Sequence, residues 1–287
     1  MQNYVIYTDS ACDLSEKVIA DWGINSSSLS FRFDGSDKEY RNNEMSVLEF
    51  YSKMREGGVA KTAAVNSEDF ISGFTPLLNK GLDILYIGFS SGLSTTYNSA
   101  RLAAEELRPK YPERKIYTVD TLAASAGIAL LIDMVKEKMA AGATIEEARD
   151  FAEESKLHIC HWFTVDDLVY LKRGGRVSST TAFVGNMLGI KPVLHVDNEG
   201  HLTNVSKVRG RRASIAALAD KYGESAVPAG TKAFISHSDC ETDAKILAQI
   251  LKEKYGAVTE LITDVGPVIG AHSGPGTLAL FFYGKER

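Results

Sequence analysis

The sequence is poor in the residues that staple chains or span bilayers. Only three cysteines occur in 287 residues; Cys12, Cys160 and Cys240 lie far apart and form no Cys-x-x-Cys pair. An odd, scattered set builds neither a disulfide framework nor a zinc ribbon, and a reducing cytoplasm fits it. Long apolar runs are missing as well. The most apolar stretch, Leu122 to Met134, is alanine-rich and interrupted by Asp133, so it reads as a buried helix rather than as stable membrane insertion. Met1 to Ser10 lacks a basic segment followed by an apolar one, and no secretory signal is read there. Positive charge is also scarce. With 32 Lys and Arg against 37 Asp and Glu, the net charge of −5 disfavours a nucleic-acid or anionic-membrane binder, and any recognition of anions must be local.

What remains is ordinary globular material. At 44% hydrophobic residues there is enough for a core and some to spare for an apolar cavity. Apolar runs alternate with helical periods, which predicts βα units and a largely parallel sheet. Tyr4 to Tyr7, Leu29 to Phe33, Asp83 to Phe89 and Lys115 to Val119 read as strands. Helices are expected over Ser15–Trp22, Ser46–Glu56, Ser67–Asn79, from Ser94 to Leu107, and over Ala123–Ala140 and Thr144–Lys156. Ser46 with Glu49 three residues later has the spacing of a capping box. Polar residues follow each of three strands at its carboxyl end, where open α/β sheets bind ligands.

The second half reads as an α+β unit with a mixed sheet. Strands are expected at His158–Phe163, Lys232–His237 and Ala257–Thr263, with a hairpin made by Lys191–Val196 and His201–Val208. Helices are expected over Val165–Lys172, Ser178–Leu188 and Thr242–Lys254, with another starting at Arg211. The boundary falls near Leu157, giving domains 1–157 and 158–287.

Four polar clusters carry the candidate chemistry. Thr8-Asp9-Ser10, with Asp13, ends the first strand; its side chains either orient a ligand or cap the turn. Thr62, in Lys61–Asn66, offers a hydroxyl to an anion, while Asn66 or Ser67 is the helix cap. Ser90 to Ser99 is a hydroxyl-rich turn opening a helix, where free amides favour a negative group. It holds Ser91, Gly92, Ser94, Thr95 and Asn98, and it is neither a Gly-x-Ser-x-Gly elbow nor a phosphate-binding P-loop. Val265 to Thr277 has two Gly-Pro steps and reads as a rigid irregular loop, with Gly270, Ala271 and His272 at its middle.

Two further chemistries are open on these residues. A Ser-dependent esterase or acyl transferase would use Ser91 or Ser94 with His272 and either Asp9 or Asp120 as the acid. His158, Cys160 and His161 suggest a metal site, for which a buried strand is the plainer account.

Together the clusters carry a resemblance. Thr8-Asp9-Ser10 with Asp13-Leu14, Ser90–Ala100, Tyr170-Leu-Lys-Arg-Gly-Gly-Arg176, Gly189-Ile-Lys-Pro192, Val208-Arg-Gly-Arg211 and Gly266-Pro-Val-Ile-Gly-Ala-His272 follow in order along nearly the whole chain. The chain resembles the DegV family of bacterial fatty-acid-binding proteins. The resemblance implies a Rossmann-like N-terminal domain, an α+β C-terminal domain, and one palmitate-like fatty acid between them, without a cofactor or metal. It implies a carboxylate held by Thr62 and Ser94 with His272 close by. These hydroxyls, the turn amides and the imidazole supply donors enough that no lysine or arginine is needed there. It also implies a carrier that is no enzyme itself and presents its lipid to a separate fatty acid kinase. Arg173, Arg176 and Arg209, in basic segments of an acidic chain, are the expected docking residues. The family often has Thr-Ser-Gln-Pro-Ser where this chain has Thr62-Ala-Ala-Val-Asn66, and Gly where it has Thr95, so the wall beside the headgroup differs.

Overall fold

The structure is a computed structural model, and it describes residues 3–177, 189–227 and 232–287. The helix expected over Ser178–Leu188 lies outside the described residues. In chain order the first part contains β1 (Tyr4–Asp9), α1 (Glu16–Asp21), β2 (Asn25–Ser27), β3 (Ser30–Phe33), β4 (Tyr40–Arg41), α2 (Val47–Arg55), β5 (Ala60–Ala63) and α3 (Ser67–Asn79). It continues with β6 (Asp83–Gly88), α4 (Thr96–Leu107), β7 (Ile116–Asp120), α5 (Ala126–Ala140) and α6 (Ile145–Ser155). The second part contains β8 (Ile159–Thr164), α7 (Val169–Arg173), β9 (Ile190–Val196), β10 (Leu202–Arg209) and α8 (Arg211–Ser225). It ends with β11 (Lys232–His237), α9 (Glu241–Tyr255), β12 (Val258–Asp264), α10 (Pro267–Ser273) and β13 (Leu278–Tyr283).

β2, β1, β6 and β7 pair in that order, all parallel, as the βα alternation predicts. A six-stranded sheet follows the order β10-β9-β8-β13-β11-β12 and is mixed, with only β11 and β12 parallel. A third sheet, β4-β3-β5, is small and antiparallel. The fold class is therefore α/β joined to a mixed-sheet α+β unit.

α5 ties the two larger sheets together. Nearly every one of its positions up to Val135 is buried, and it packs on β6 as well as on β8, β11 and β13. A helix that is apolar all round belongs inside a protein. Asp133 interrupts the run because it faces Lys232 of β11, at 2.5 Å. Short-range signals set several helix starts: Asn66 accepts from Asp69 N at the head of α3, and Thr144 and Glu147 form a complete capping box on α6. At α2 only half of the expected box forms. Ser46 accepts from Glu49 N, but the Glu49 carboxylate turns to Lys53 instead.

One strand was not read from the sequence, and two expectations need correction. Lys61 to Ala63 belong to β5, whose partner β3 is distant in sequence and is paired through Phe31 and Thr62. The expected helix over Val165–Lys172 is shorter, forming only at Val169–Arg173. The Gly-Pro segment is no irregular loop: it holds α10, with Pro267 in the first turn, where its missing N–H does no harm. Gly270 serves close packing, since a Cβ there would stand 2.3 Å from the Tyr51 hydroxyl.

Candidate functional site

A cavity of about 490 Å³ opens between the strand ends of the first half and the six-stranded sheet. Its wall is largely apolar. Phe163 of β8 and Ala279 and Phe281 of β13 supply one side, where Phe163 pairs with Ala279 and His161 with Phe281 in register. Alternate residues of a strand share a face, so this row is a direct product of the strand pattern. Leu29, Leu171, Val265 and Val268 close other parts of the wall.

Polar groups gather toward Thr62. Thr62 of β5, Ser94 of the turn before α4 and His272 of α10 all line this cavity. Thr62 Oγ1 lies 2.8 Å from His272 Nε2. Ser94 Oγ accepts from Thr96 N at 3.2 Å and pairs with Thr96 Oγ1 at 2.9 Å, fixing the turn that opens α4. Thr95, at the N-cap, makes no capping bond of its own and also lines the cavity. Ser91 lines it too, its amide held by the Asp120 carboxylate at 3.2 Å.

Burial, and next the charge of Arg176, push the His272 imidazole down to about 4, so the ring is neutral at pH 7. Its Nδ1 makes no hydrogen bond. That nitrogen sits over Gly174, where a Cβ would come within 2.1 Å. The Gly-Gly turn after α7 is therefore the seat of the imidazole.

Arg176, expected among the docking residues, lines the cavity and is half-buried. Its guanidinium donates to Leu93 O at 2.9 Å and to Gly174 O, which clasps the Ser-rich turn to the α7 turn. A cation thus stands beside the polar end, where none was thought to be needed. Arg173 and Arg209 are exposed. Gly92, Asn98, Gly270 and Ala271 do not line the cavity: Asn98 is exposed on α4, and Gly92 packs against the carbonyl of Glu199. Sequence reading missed the floor residues Phe163, Ala279 and Phe281 and the serines Ser125 and Ser236. The unbroken apolar run from Leu278 to Tyr283, the pattern of a strand covered on both faces, was the available signal for the floor.

The other chemistries find no assembled site. Asp9 is spent on Tyr86 OH at 2.6 Å and on the amides of Phe89 and Ala11. Asp120 caps the amides of Ser91 and Leu122, and His272 bonds neither Ser91 nor Ser94. An esterase needs a serine, a histidine and an acid in sequence, and these groups do not form that chain. His158 bonds Gly284 O, Cys160 bonds Glu286 O, and His161 packs edge-on against Phe281. Among the described residues no cluster of His, Cys, Asp or Glu could hold a metal ion, and no helix is long and apolar enough to cross a membrane.

Comparison with known proteins places the chain. The family described as "Uncharacterised protein, DegV family" matches residues 3–285. The chain belongs to the DegV family. A DegV domain-containing protein of Clostridium perfringens is 44% identical, over all of this chain and 99% of that one. A fatty acid-binding protein of Thermotoga maritima is 36% identical, with 98% of each chain covered. The crystal structure of a DegV lipid binding protein of Thermotoga maritima superposes with a TM-score of 0.87 at 34% identity, covering 100% of both chains.

Proposed function

We propose that this DegV protein holds one long-chain fatty acid between its halves, residues 1–157 and 158–287, and presents its carboxylate to a separate fatty acid kinase. One observation carries the reading. Thr62 and Ser94, on different elements, line a single cavity whose surface is largely apolar. The family relatives named for lipid or fatty acid binding support the same ligand class.

The energetics suit such a ligand. A palmitate-length chain has about 14 methylenes, each worth about 0.8 kcal/mol out of water, so the gross gain is on the order of 11 kcal/mol before ordering costs. A carboxylate buried without donors would cancel that gain. Thr62, Ser94 and the amides at the head of α4 supply donors, and Arg176 supplies the countercharge. With its proton on Nε2, the neutral His272 donates to Thr62 Oγ1. The Thr62 hydroxyl proton is then free for the carboxylate. A headgroup held mainly by neutral donors keeps its oxygen nucleophilic, as onward phosphorylation requires.

Lipid extraction and native mass spectrometry of the purified protein, with palmitate added, test the reading. One fatty acid per chain is expected. A preparation that neither carries nor takes up fatty acid would overturn it.

A further inference from the structure

The helix that carries His272 does not cap itself. Gly266 stands at its N-cap with no side chain to offer, and helix starts leave backbone N–H groups unpaired. Partners come from the first half of the chain. Gly266 N donates to Asp13 Oδ1 at 2.9 Å, and Val268 N donates to Asn42 Oδ1 at 2.8 Å. Nearby, Tyr51 OH donates to Val265 O at 2.8 Å and Thr263 Oγ1 to Asp13 O at 2.7 Å.

Asp13 is 5% exposed and sits in the left-handed backbone region at φ 54°, uncommon for a residue other than glycine. Its second carboxyl oxygen lies 2.5 Å from Ser125 Oγ, which lies 2.9 Å from Ser236 Oγ. Both serines line the cavity. One carboxyl therefore touches the start of the His272 helix and a hydroxyl pair on the cavity wall.

We propose that Asp13 is the positioning residue for His272, its buried carboxyl accepting from Gly266 N with one oxygen and from Ser125 Oγ with the other. Its surroundings disfavour the charged form. The titratable groups facing it, Asp9, Cys12, Tyr51 and Asp264, are all acids. Burial, with Asp264 and Asp9 adding to it, outweighs the hydrogen bonds from Ser125 and Gly266 and pushes the carboxyl up to about 8. Through α10 this group sets where the imidazole meets Thr62, and through Ser125 and Ser236 it is in contact with whatever fills the cavity. The consequence for lipid rests on the headgroup reading above; the placement of His272 does not.

The test compares Asp13→Asn, Asp13→Ala and Asn42→Ala in the full chain. The amide of Asp13→Asn keeps an acceptor for Gly266 and a hydrogen-bonding partner for Ser125, whereas alanine removes both. NMR titration of His272 and the dissociation constant for palmitate are measured for each. In Asp13→Ala and Asn42→Ala the His272 titration should move from near 4 toward the ordinary 6.5. The palmitate dissociation constant should rise about tenfold, and Asp13→Asn should rescue both properties. An unchanged His272 titration in Asn42→Ala and Asp13→Ala would overturn the proposal, as would Asp13→Asn behaving like the alanine variant. If Asp13→Ala does not fold, the other two variants decide. Should the unaltered protein take up no palmitate, the functional reading fails while the titration still decides the role of Asp13.

Discussion

The two ends of the cavity are built by different means. The apolar floor comes from neighbouring strands of one sheet, so Phe163, Ala279 and Phe281 are placed by ladder register alone. The polar end draws Thr62 from β5, Ser94 from the turn before α4, His272 from α10 and Arg176 from the turn after α7. Each of these is fixed by a hydrogen bond to another element or turn. The floor should therefore tolerate change in chemistry but not in volume, while the polar end should tolerate neither the loss of a hydrogen-bonding atom nor a shift of the groups that aim it. A close-packed floor resists added bulk, whereas a directed hydrogen bond is lost with a single atom.

Filling the floor should have the largest effect. Ala279→Phe is expected to lower palmitate affinity more than 100-fold by calorimetry, with a stability loss of about 1–3 kcal/mol. Undiminished binding would mean that the chain runs elsewhere. Next comes Gly174→Ala, whose Cβ would collide with His272 Nδ1. It should push the ring off Thr62 and weaken palmitate by tens of fold, and tight binding in this variant would detach His272 from the headgroup. Thr62→Val keeps the volume and removes one hydroxyl, for a loss of about 1–2 kcal/mol, or roughly tenfold. Thr62→Ser should restore most of it.

Acid comes next in size. The His272 pKa is lower folded than unfolded, so the unfolded chain binds the extra proton. The contribution of His272 to stability should fall as pH drops from 6.5 toward 4, and denaturant midpoints of wild type and His272→Gln should converge over that window. Asp13 has the opposite sense: raised to about 8, its contribution is full below 3.8 and is lost as pH rises through 8. The smallest effect on lipid is expected at the exposed arginines. Arg173→Ala and Arg209→Ala should leave palmitate affinity unchanged and lower kinase-coupled turnover. Equal turnover would return these residues to the solvated surface.

Much of this architecture can be read from the chain because its signals are local. β1 and β6 carry the unbroken apolar runs Tyr4–Tyr7 and Ile84–Ile87, and the caps at Asn66 and Thr144 act within one helical turn. What escapes is set by distant partners. Ala60 to Ala63 has little strand character and becomes β5 because β3 pairs with it. Val265 to Thr277 looks like a loop through its glycines and prolines. Gly270 instead makes room for Tyr51, and Pro267 begins a helix. Thr62, Ser94 and His272 were legible as hydroxyl and imidazole candidates. The inward turn of Arg176 was not, since its partner Leu93 is 83 residues away.

The proposed lipid has a direction: acid group at Thr62 and Ser94, hydrocarbon over Phe163 and Phe281. Diffraction from crystals grown with palmitate measures that direction. Carboxylate oxygens are expected within hydrogen-bond reach of Thr62 Oγ1 and Ser94 Oγ, with methylenes along β8 and β13. A carboxylate at Ser125 and Ser236, with the tail toward Thr62, would contradict it.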